Sequence, residues 1–364
     1  MRSGVRFHEE AMQQVLITGG HEKVSGGLEM FIGRAQECLG LAVPHFTETP
    51  GYGGLKLGRY LFALIGFMRR LPSHRIVWLQ LGSVFDLAYL LLAKLFGKKV
   101  AVTPHLGSSW RSMRNPILRK LASRCLGLAD VIFTLHKSQS DALGFPPALA
   151  ARCRVMGTFL PKELLEDPIP PRKRSGPIKL IHAARLSREK GSFAFLETCA
   201  ALSRSGVEYE AVIVGNGDLH ITAALAKEIA RRNLSVRLLG PLPQWAFAAL
   251  LRDQDVLVNL SLQDAYPLTV IEALLCSVAP VVSRLPGTEE LAEETSAISL
   301  VDGQDGEVAS ARILALDWGM VPDATEMLRG KFTWSTLRLR YGEAFAALAQ
   351  PRSSAVTTIR VPQS

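Results

Sequence analysis

The chain has 364 residues, of which 48% are hydrophobic and 21% charged, so it has material for about two domains with separate cores and does not read as disordered. Its five cysteines, Cys38, Cys125, Cys153, Cys199 and Cys276, are scattered without a C-x-x-C pair, which argues against a disulfide framework or zinc site and for reduced thiols in the cytoplasm. The net charge of +9 is uneven, since residues 1–174 carry 24 Lys plus Arg against 12 Asp plus Glu and the remainder 18 against 21; such asymmetry suits phosphate-bearing substrates, an anionic membrane or nucleic acid.

Met1 to Gln14 is polar, so no cleavable signal is read there. Gln14 to Thr18 is predicted as a strand that ends in Gly19-Gly20, with a loop to Gly26-Gly27 and a helix from Leu28 to Leu39. A glycine loop between strand and helix lets backbone N–H groups approach a phosphate, and it is equally consistent with a plain tight turn. The pattern G-x-G-x-x-G is absent, against a nicotinamide enzyme. The longest apolar runs, Tyr60 to Met68 and Val84 to Phe96, are too short or too charged to span a bilayer.

Leu55 to Leu71 mixes apolar residues with Lys56, Arg59, Arg69 and Arg70, giving a basic amphipathic helix suited to an anionic membrane surface or to an ordinary solvated face. Strands at Arg75 to Leu81, Lys99 to Leu106 and Val131 to His136 alternate with helices at Val84 to Phe96 and Asn115 to Gly127, the rhythm of a parallel doubly wound sheet. His105 closes its strand in T-P-H-L-G. Trp110 to Arg124 carries Arg111, Arg114, Arg119, Lys120 and Arg124, a second membrane candidate. It lacks the interleaved aromatics of a nucleic-acid platform, so no nucleic-acid partner is expected.

Pro161 to Pro177 contains five prolines and marks the linker between domains. Beyond it the rhythm repeats, with strands at Ile178 to Ala184, Tyr209 to Gly215, Val236 to Gly240, Val256 to Leu260, Pro280 to Ser283 and Ala297 to Val301. R-L-S-R-E-K-G, Arg185 to Gly191, sets two cations before a helix N-terminus, a place that suits a diphosphate. G-N-G-D, Gly215 to Asp218, reads as a second ligand-approaching turn or as a βα turn capped by Asp218. The Asp253 to Asp255 run leads straight into a strand and is read as no metal site. After the apolar run Val256 to Leu260, the loop Ser261 to Tyr266 leaves a strand's carboxyl end, where open α/β sheets bind ligands, and Pro267 opens a helix with Glu272 in its second turn. Lys331 to Ala349 is an amphipathic helix with Leu337, Tyr341, Phe345 and Leu348, and Pro351 to Ser364 a polar, disordered tail.

Asp264 and Glu272, seven residues apart, resemble the E-x7-E element of the retaining glycosyltransferases called GT4, whose two-domain GT-B fold pairs Rossmann-like sheets across a cleft. Asp264-Ala265 stand where that family has Glu-Gly. The resemblance extends to G-G-L-E at Gly26, T-x-H at His105, R-L-x-x-x-K-G at Arg185 and the final helix. It implies an acceptor domain over 1–170, a nucleotide-sugar domain over 171–330, a crossover helix over 331–350 returning to the first domain, and a tail over 351–364. By the same resemblance Arg185 and Lys190 grip the diphosphate and Glu272 binds the ribose, while Asp264 and His105 attend the sugar. Gly26, Gly27, Gly215, Gly217, Leu242, Leu268 and Thr269 line the donor pocket. The implied reaction moves a hexose from a UDP- or GDP-sugar to a glycan or polyprenyl-diphosphate-linked acceptor with retention and no metal or cofactor, in surface-polysaccharide synthesis at the inner membrane face. Two alternatives stay open: a non-catalytic sugar-nucleotide-binding subunit, suggested by Asp264-Ala265, and a nucleotide-sugar epimerase of the same architecture.

Overall fold

The structure, a computed structural model, describes residues 2–22, 26–49, 57–105, 116–166, 176–264 and 266–350. The expected domain junction at 170/171, Gly107, Arg111 and Arg114 of the first half, Ala265 and the expected tail over 351–364 lie outside the described residues.

Strands β1 (Val15–Thr18), β2 (Ile76–Leu81), β3 (Lys99–Pro104), β4 (Val131–Thr134) and β5 (Cys153–Val155) form one sheet in that order, every neighbouring pair parallel. Strands β6 (Ile178–Ala183), β7 (Tyr209–Val214), β8 (Val236–Gly240), β9 (Val256–Asn259), β10 (Ala279–Ser283) and β11 (Ser299–Val301) form the second, ordered β11-β10-β9-β6-β7-β8 and likewise parallel. β1, β2, β4, β9 and β10 are buried along their whole length, as strands covered by helices on both faces must be. Two doubly wound parallel sheets are what the alternating strand and helix signals predicted. β5 was not anticipated, because Arg154 and Val155 are exposed and the segment carries no apolar run.

The first sheet is wrapped by α1 (Arg2–Gln13), α2 (Gly27–Leu39), α3 (Leu57–Arg70), α4 (Leu87–Leu95), α5 (Pro116–Leu126), and the short α6 (Gln139–Ala142), α7 (Pro147–Ala150) and α8 (Lys162–Glu166). The second carries α9 (Ser192–Arg204), α10 (Leu219–Arg231), α11 (Gln244–Arg252), α12 (Leu268–Leu275), α13 (Pro286–Glu294), α14 (Gly306–Leu314) and α15 (Met320–Lys331), after which α16 (Trp334–Ala349) ends the described chain.

α16 crosses back to the first sheet. Tyr341 and Phe345 are fully buried there, with ring centroids 5.0 and 5.3 Å from Trp78 of β2. Offset and edge-on aromatic contacts of this kind add to the burial energy. The same helix packs on α1, where Gly342 lets His8 approach: a Cβ at 342 would stand 3.1 Å from the His8 Cβ. α1 was not expected from so polar a stretch, and its Ala11 and Met12 enter the core nonetheless.

Candidate active site between the two sheets

The strand order of the second sheet reverses between β6 and β9. At such a switch point the loops leaving neighbouring strands diverge and open a crevice at the carboxyl edge. The two loops here are those carrying Arg185 to Gly191 and Ser261 to Pro267. Gly191 has φ +81°, and a Cβ on it would lie 2.3 Å from the Leu260 carbonyl oxygen, so only glycine lets the loops meet this closely. They are then joined by the Leu262 N–H donating to the Glu189 carbonyl at 2.8 Å. Gln304, which nothing in the sequence singled out, donates from Nε2 to the carbonyls of Arg188, Glu189 and Leu260.

This junction brings two predicted site residues together. Lys190 Nζ donates to the Gln263 carbonyl at 2.7 Å and stands 3.4 Å from Asp264 Oδ2. Arg185 is exposed at the start of the same loop, and α9 begins at its end. Cationic side chains and a helix N-terminus therefore share one edge, the arrangement that favours a bound polyphosphate.

Gly215 and Gly217, expected to contact the donor, pack closely on a neighbouring turn. A Cβ on Gly215, where φ is +148°, would meet the Ala184 carbonyl oxygen at 1.8 Å, and one on Gly217 would meet the Leu186 Cβ at 2.7 Å. Both glycines thus press against the turn that carries Arg185. Asp218 caps α10 by accepting from the Ile221 N–H. Asp253 and Asp255 are engaged by Lys179, through its ammonium and its backbone N–H respectively. Leu242 and Leu268 are half-buried against the core and Thr269 is half-buried in the first turn of α12.

Glu272, expected to bind a ribose, is buried, and its Oε1 accepts from Arg34 of α2 at 2.8 Å. The same guanidinium donates to Gln244 Oε1 at 3.0 Å and to the Phe159 carbonyl at 3.3 Å. Burial pushes the Glu272 carboxyl up, and the Arg34 charge and hydrogen bond offset part of that rise. Arg34 was overlooked, although a signal existed: it lies on the same helical face as Phe31, Ala35 and Cys38, a charge on an apolar stripe.

On the first sheet, His105 follows β3. Its Nε2 lies 2.9 Å from Gln80 Oε1 and its ring sits edge-on to Phe31 at 4.7 Å. Burial lowers the imidazole to about 3, so the ring is neutral near pH 7. Gly19, at φ +154°, allows the end of β1 to touch Gln80, since a Cβ there would be 2.6 Å from the Gln80 Cβ. Within the expected phosphate loop, Glu29 accepts from the His21 N–H at 3.1 Å and leaves no room for a Cβ on Gly26, which would stand 2.8 Å from its Oε2. The Glu29 carboxylate thus lies against Gly20 and Gly26, whereas a Cβ on Gly27 would meet nothing within 4 Å.

The carboxyl edges of the two sheets face each other. His136, just beyond β4, stacks on Tyr266 from the loop after β9, with centroids 5.3 Å apart and planes 14° apart. Glu290 of α13 accepts from the backbone N–H groups of Lys137 and Ser138 at 2.9 and 3.0 Å. Burial opposes its ionisation, but these bonds outweigh it and hold the carboxyl below its usual range.

Residues 166–316 match the family described as glycosyl transferases group 1. An amylovoran biosynthesis glycosyltransferase of Erwinia amylovora is 30% identical over 151 residues, which are 39% of this chain but only 37% of that protein. A GDP-mannose:cellobiosyl-diphosphopolyprenol alpha-mannosyltransferase of Xanthomonas campestris is 28% identical over 291 residues, 75% of this chain and 74% of the relative. Among solved structures, the Anabaena protein HepE in complex with UDP and glucose superposes with a TM-score of 0.72 at 15% identity, over 92% of this chain and all of that one. With paired parallel sheets and a helix returning from the second to the first, the chain has the GT-B fold, and its second half carries the match to the group 1 glycosyl transferases.

Proposed function

We propose that the chain transfers a hexose from a UDP- or GDP-sugar to a glycan or polyprenyl-diphosphate-linked acceptor, with retention of anomeric configuration, in the assembly of a surface polysaccharide or glycolipid. The observation that carries this reading is the junction of the Arg185 and Asp264 loops at the switch point of the second sheet, with Lys190 between them. The names of the Erwinia and Xanthomonas relatives support the polysaccharide setting.

In this reading the diphosphate lies on Arg185, Lys190 and the start of α9. The bond from the anomeric carbon to the diphosphate breaks, and negative charge grows on the leaving oxygen where fixed cations already wait. The acceptor hydroxyl attacks from the same face, its proton passing to the leaving phosphate, so the positive charge is supplied by side chains without a metal or other cofactor. His105, neutral, takes a hydroxyl of the sugar, Asp264 attends the sugar ring and Glu272 the ribose, with the Leu242 loop near the base and Leu268 and Thr269 beside them. Contact between the sheets excludes water, whose attack would waste the donor.

The acceptor belongs with the basic first half, at the cytoplasmic face of a membrane. Among the described residues no helix is long and apolar enough to cross a bilayer. α3 does expose Leu57, Leu61, Phe62 and Ile65 beside Arg59, and α5 exposes Ile117 and Leu121, a combination suited to lying on anionic lipid. Thermal melts with UDP, GDP, ADP and their sugar conjugates test the donor site, because a ligand of the native state raises the midpoint. Stabilisation by UDP or GDP that Lys190→Ala loses is expected. No shift at millimolar concentration with any of them would overturn the reading.

A further inference from the structure

We propose that Arg34 is a positioning residue for the nucleoside, reaching across from the first sheet's helix α2 to hold Glu272 and Gln244 of the second unit in the geometry that receives ribose and base. The inference rests on the ribose role of Glu272 given above.

Three observations carry it. First, Arg34 is buried, and its side-chain partners among the described residues are the Glu272 carboxylate and the Gln244 amide oxygen, on α12 and on the first residue of α11. Both accept from the same nitrogen, Nη2, which brings together the two places the proposed function assigns to the nucleoside: Glu272 for the ribose, and the Leu242-Pro243 turn, directly before Gln244, for the base. Second, the guanidinium is itself anchored on the Phe159 carbonyl at 3.3 Å, so its fork is fixed from the first unit rather than free to follow the second. A planar, permanently charged fork holds two acceptors in a set geometry as a lysine does not. Third, Gln244 Nε2 is buried with no partner among the described residues. A buried amide donor left open is costly, and an acceptor group of a bound base would satisfy it.

Removing Arg34 leaves Glu272 buried without its cation, and a carboxyl so placed takes up a proton and loses its fixed orientation. Ribose recognition is thereby tied to contact between the two units: the carboxylate lies in one and its counter-charge in the other. A role in folding alone would not distinguish ribose from deoxyribose, and this difference provides the test.

Calorimetry on the full chain would compare UDP with 2′-deoxy-UDP, or GDP with 2′-deoxy-GDP, whichever nucleotide the wild type binds more tightly. The wild type is expected to prefer the ribonucleotide by roughly tenfold or more, since a site built around a hydroxyl rejects the analogue lacking it. Glu272→Gln and Arg34→Gln should both lose most of that preference, and Arg34→Lys, which restores charge but not the fork, should regain part of it. Arg34→Lys also keeps the test open if the neutral variant fails to fold: its preference must then lie clearly below that of the wild type. A preference lost in Glu272→Gln but kept in Arg34→Gln, or unchanged in Arg34→Lys, overturns the proposal alone. No preference in the wild type, or no binding of either nucleotide, withdraws the ribose reading and this inference with it.

Discussion

Lys190 Nζ lies 3.4 Å from Asp264 Oδ2 and donates to the neighbouring Gln263 carbonyl, so the loops after β6 and β9 are joined by the charged residues assigned to donor chemistry. Lys190→Ala is expected to lower kcat/KM by about a hundredfold or more, as loss of a group that stabilises leaving charge does. Its thermal midpoint should change little, because exposed and half-exposed ion pairs contribute at most about 1 kcal/mol. Donor consumption and melting curves on one preparation check both parts.

Asp264 has the shorter of the two acidic side chains and still reaches Lys190. Asp264→Asn removes the charge and should cost activity by roughly tenfold or more, whereas Asp264→Glu should stay near wild type. An increase on Asp264→Glu from a silent wild type would favour the non-catalytic alternative.

Gly191 tests the loop junction without touching charge. Gly191→Ala forces a Cβ into the Leu260 carbonyl at φ +81°, with an expected cost of about 2–4 kcal/mol in denaturant unfolding. Nucleotide affinity should fall as well, because the backbone of Lys190 must move.

Three histidines, His45 and His182 buried and His105 half-buried, set the acid limit. Burial lowers His45 and His182 to about 4 and His105 to about 3, from 6.5. Between pH 6.5 and 4 the unfolded chain binds protons that the native chain refuses, so stability is fully present above 6.5 and is lost as pH falls. Asp86 opposes this, since burial raises it from 3.8 to about 6 and its contribution is present below 3.8 and fades as pH rises through 6. Three groups outweigh one, and the melting midpoint is expected to drop from pH 7.5 to pH 4.5. His45→Gln should make that slope shallower.

Glu290 secures the two units to each other. Glu290→Ala leaves the Lys137 and Ser138 N–H groups without their acceptor and should cost about 1–3 kcal/mol. The radius of gyration from solution scattering should rise as the cleft opens.

Much of this was legible in the residues. β2, β4, β9 and β10 declared themselves as apolar runs because both faces are covered, and Lys190 and Asp264 because their loops leave strand ends at a fixed spacing. α1 was hidden by its polar composition, its partner being a helix more than 300 residues away in the chain. Glycines such as Gly215 and Gly217 signal that some backbone approaches closely without saying which, and the approach to the Ala184 to Leu186 turn was not legible. Arg34 escaped for the complementary reason, since the charge it answers lies 238 positions later.

The return of α16 has a consequence for synthesis. Trp78, Phe133 and Phe159 of the first unit pack on Tyr341, and Trp78 and Phe133 also on Phe345. A ribosome that has finished the first sheet has therefore not yet made the side chains that complete its aromatic core. Until translation reaches the last helix, the early half carries an open apolar face, the kind of surface that chaperones hold and that aggregates when they do not. A nascent chain stalled before residue 334 should be protease-sensitive within its first sheet and become resistant there once residues 334–349 have emerged.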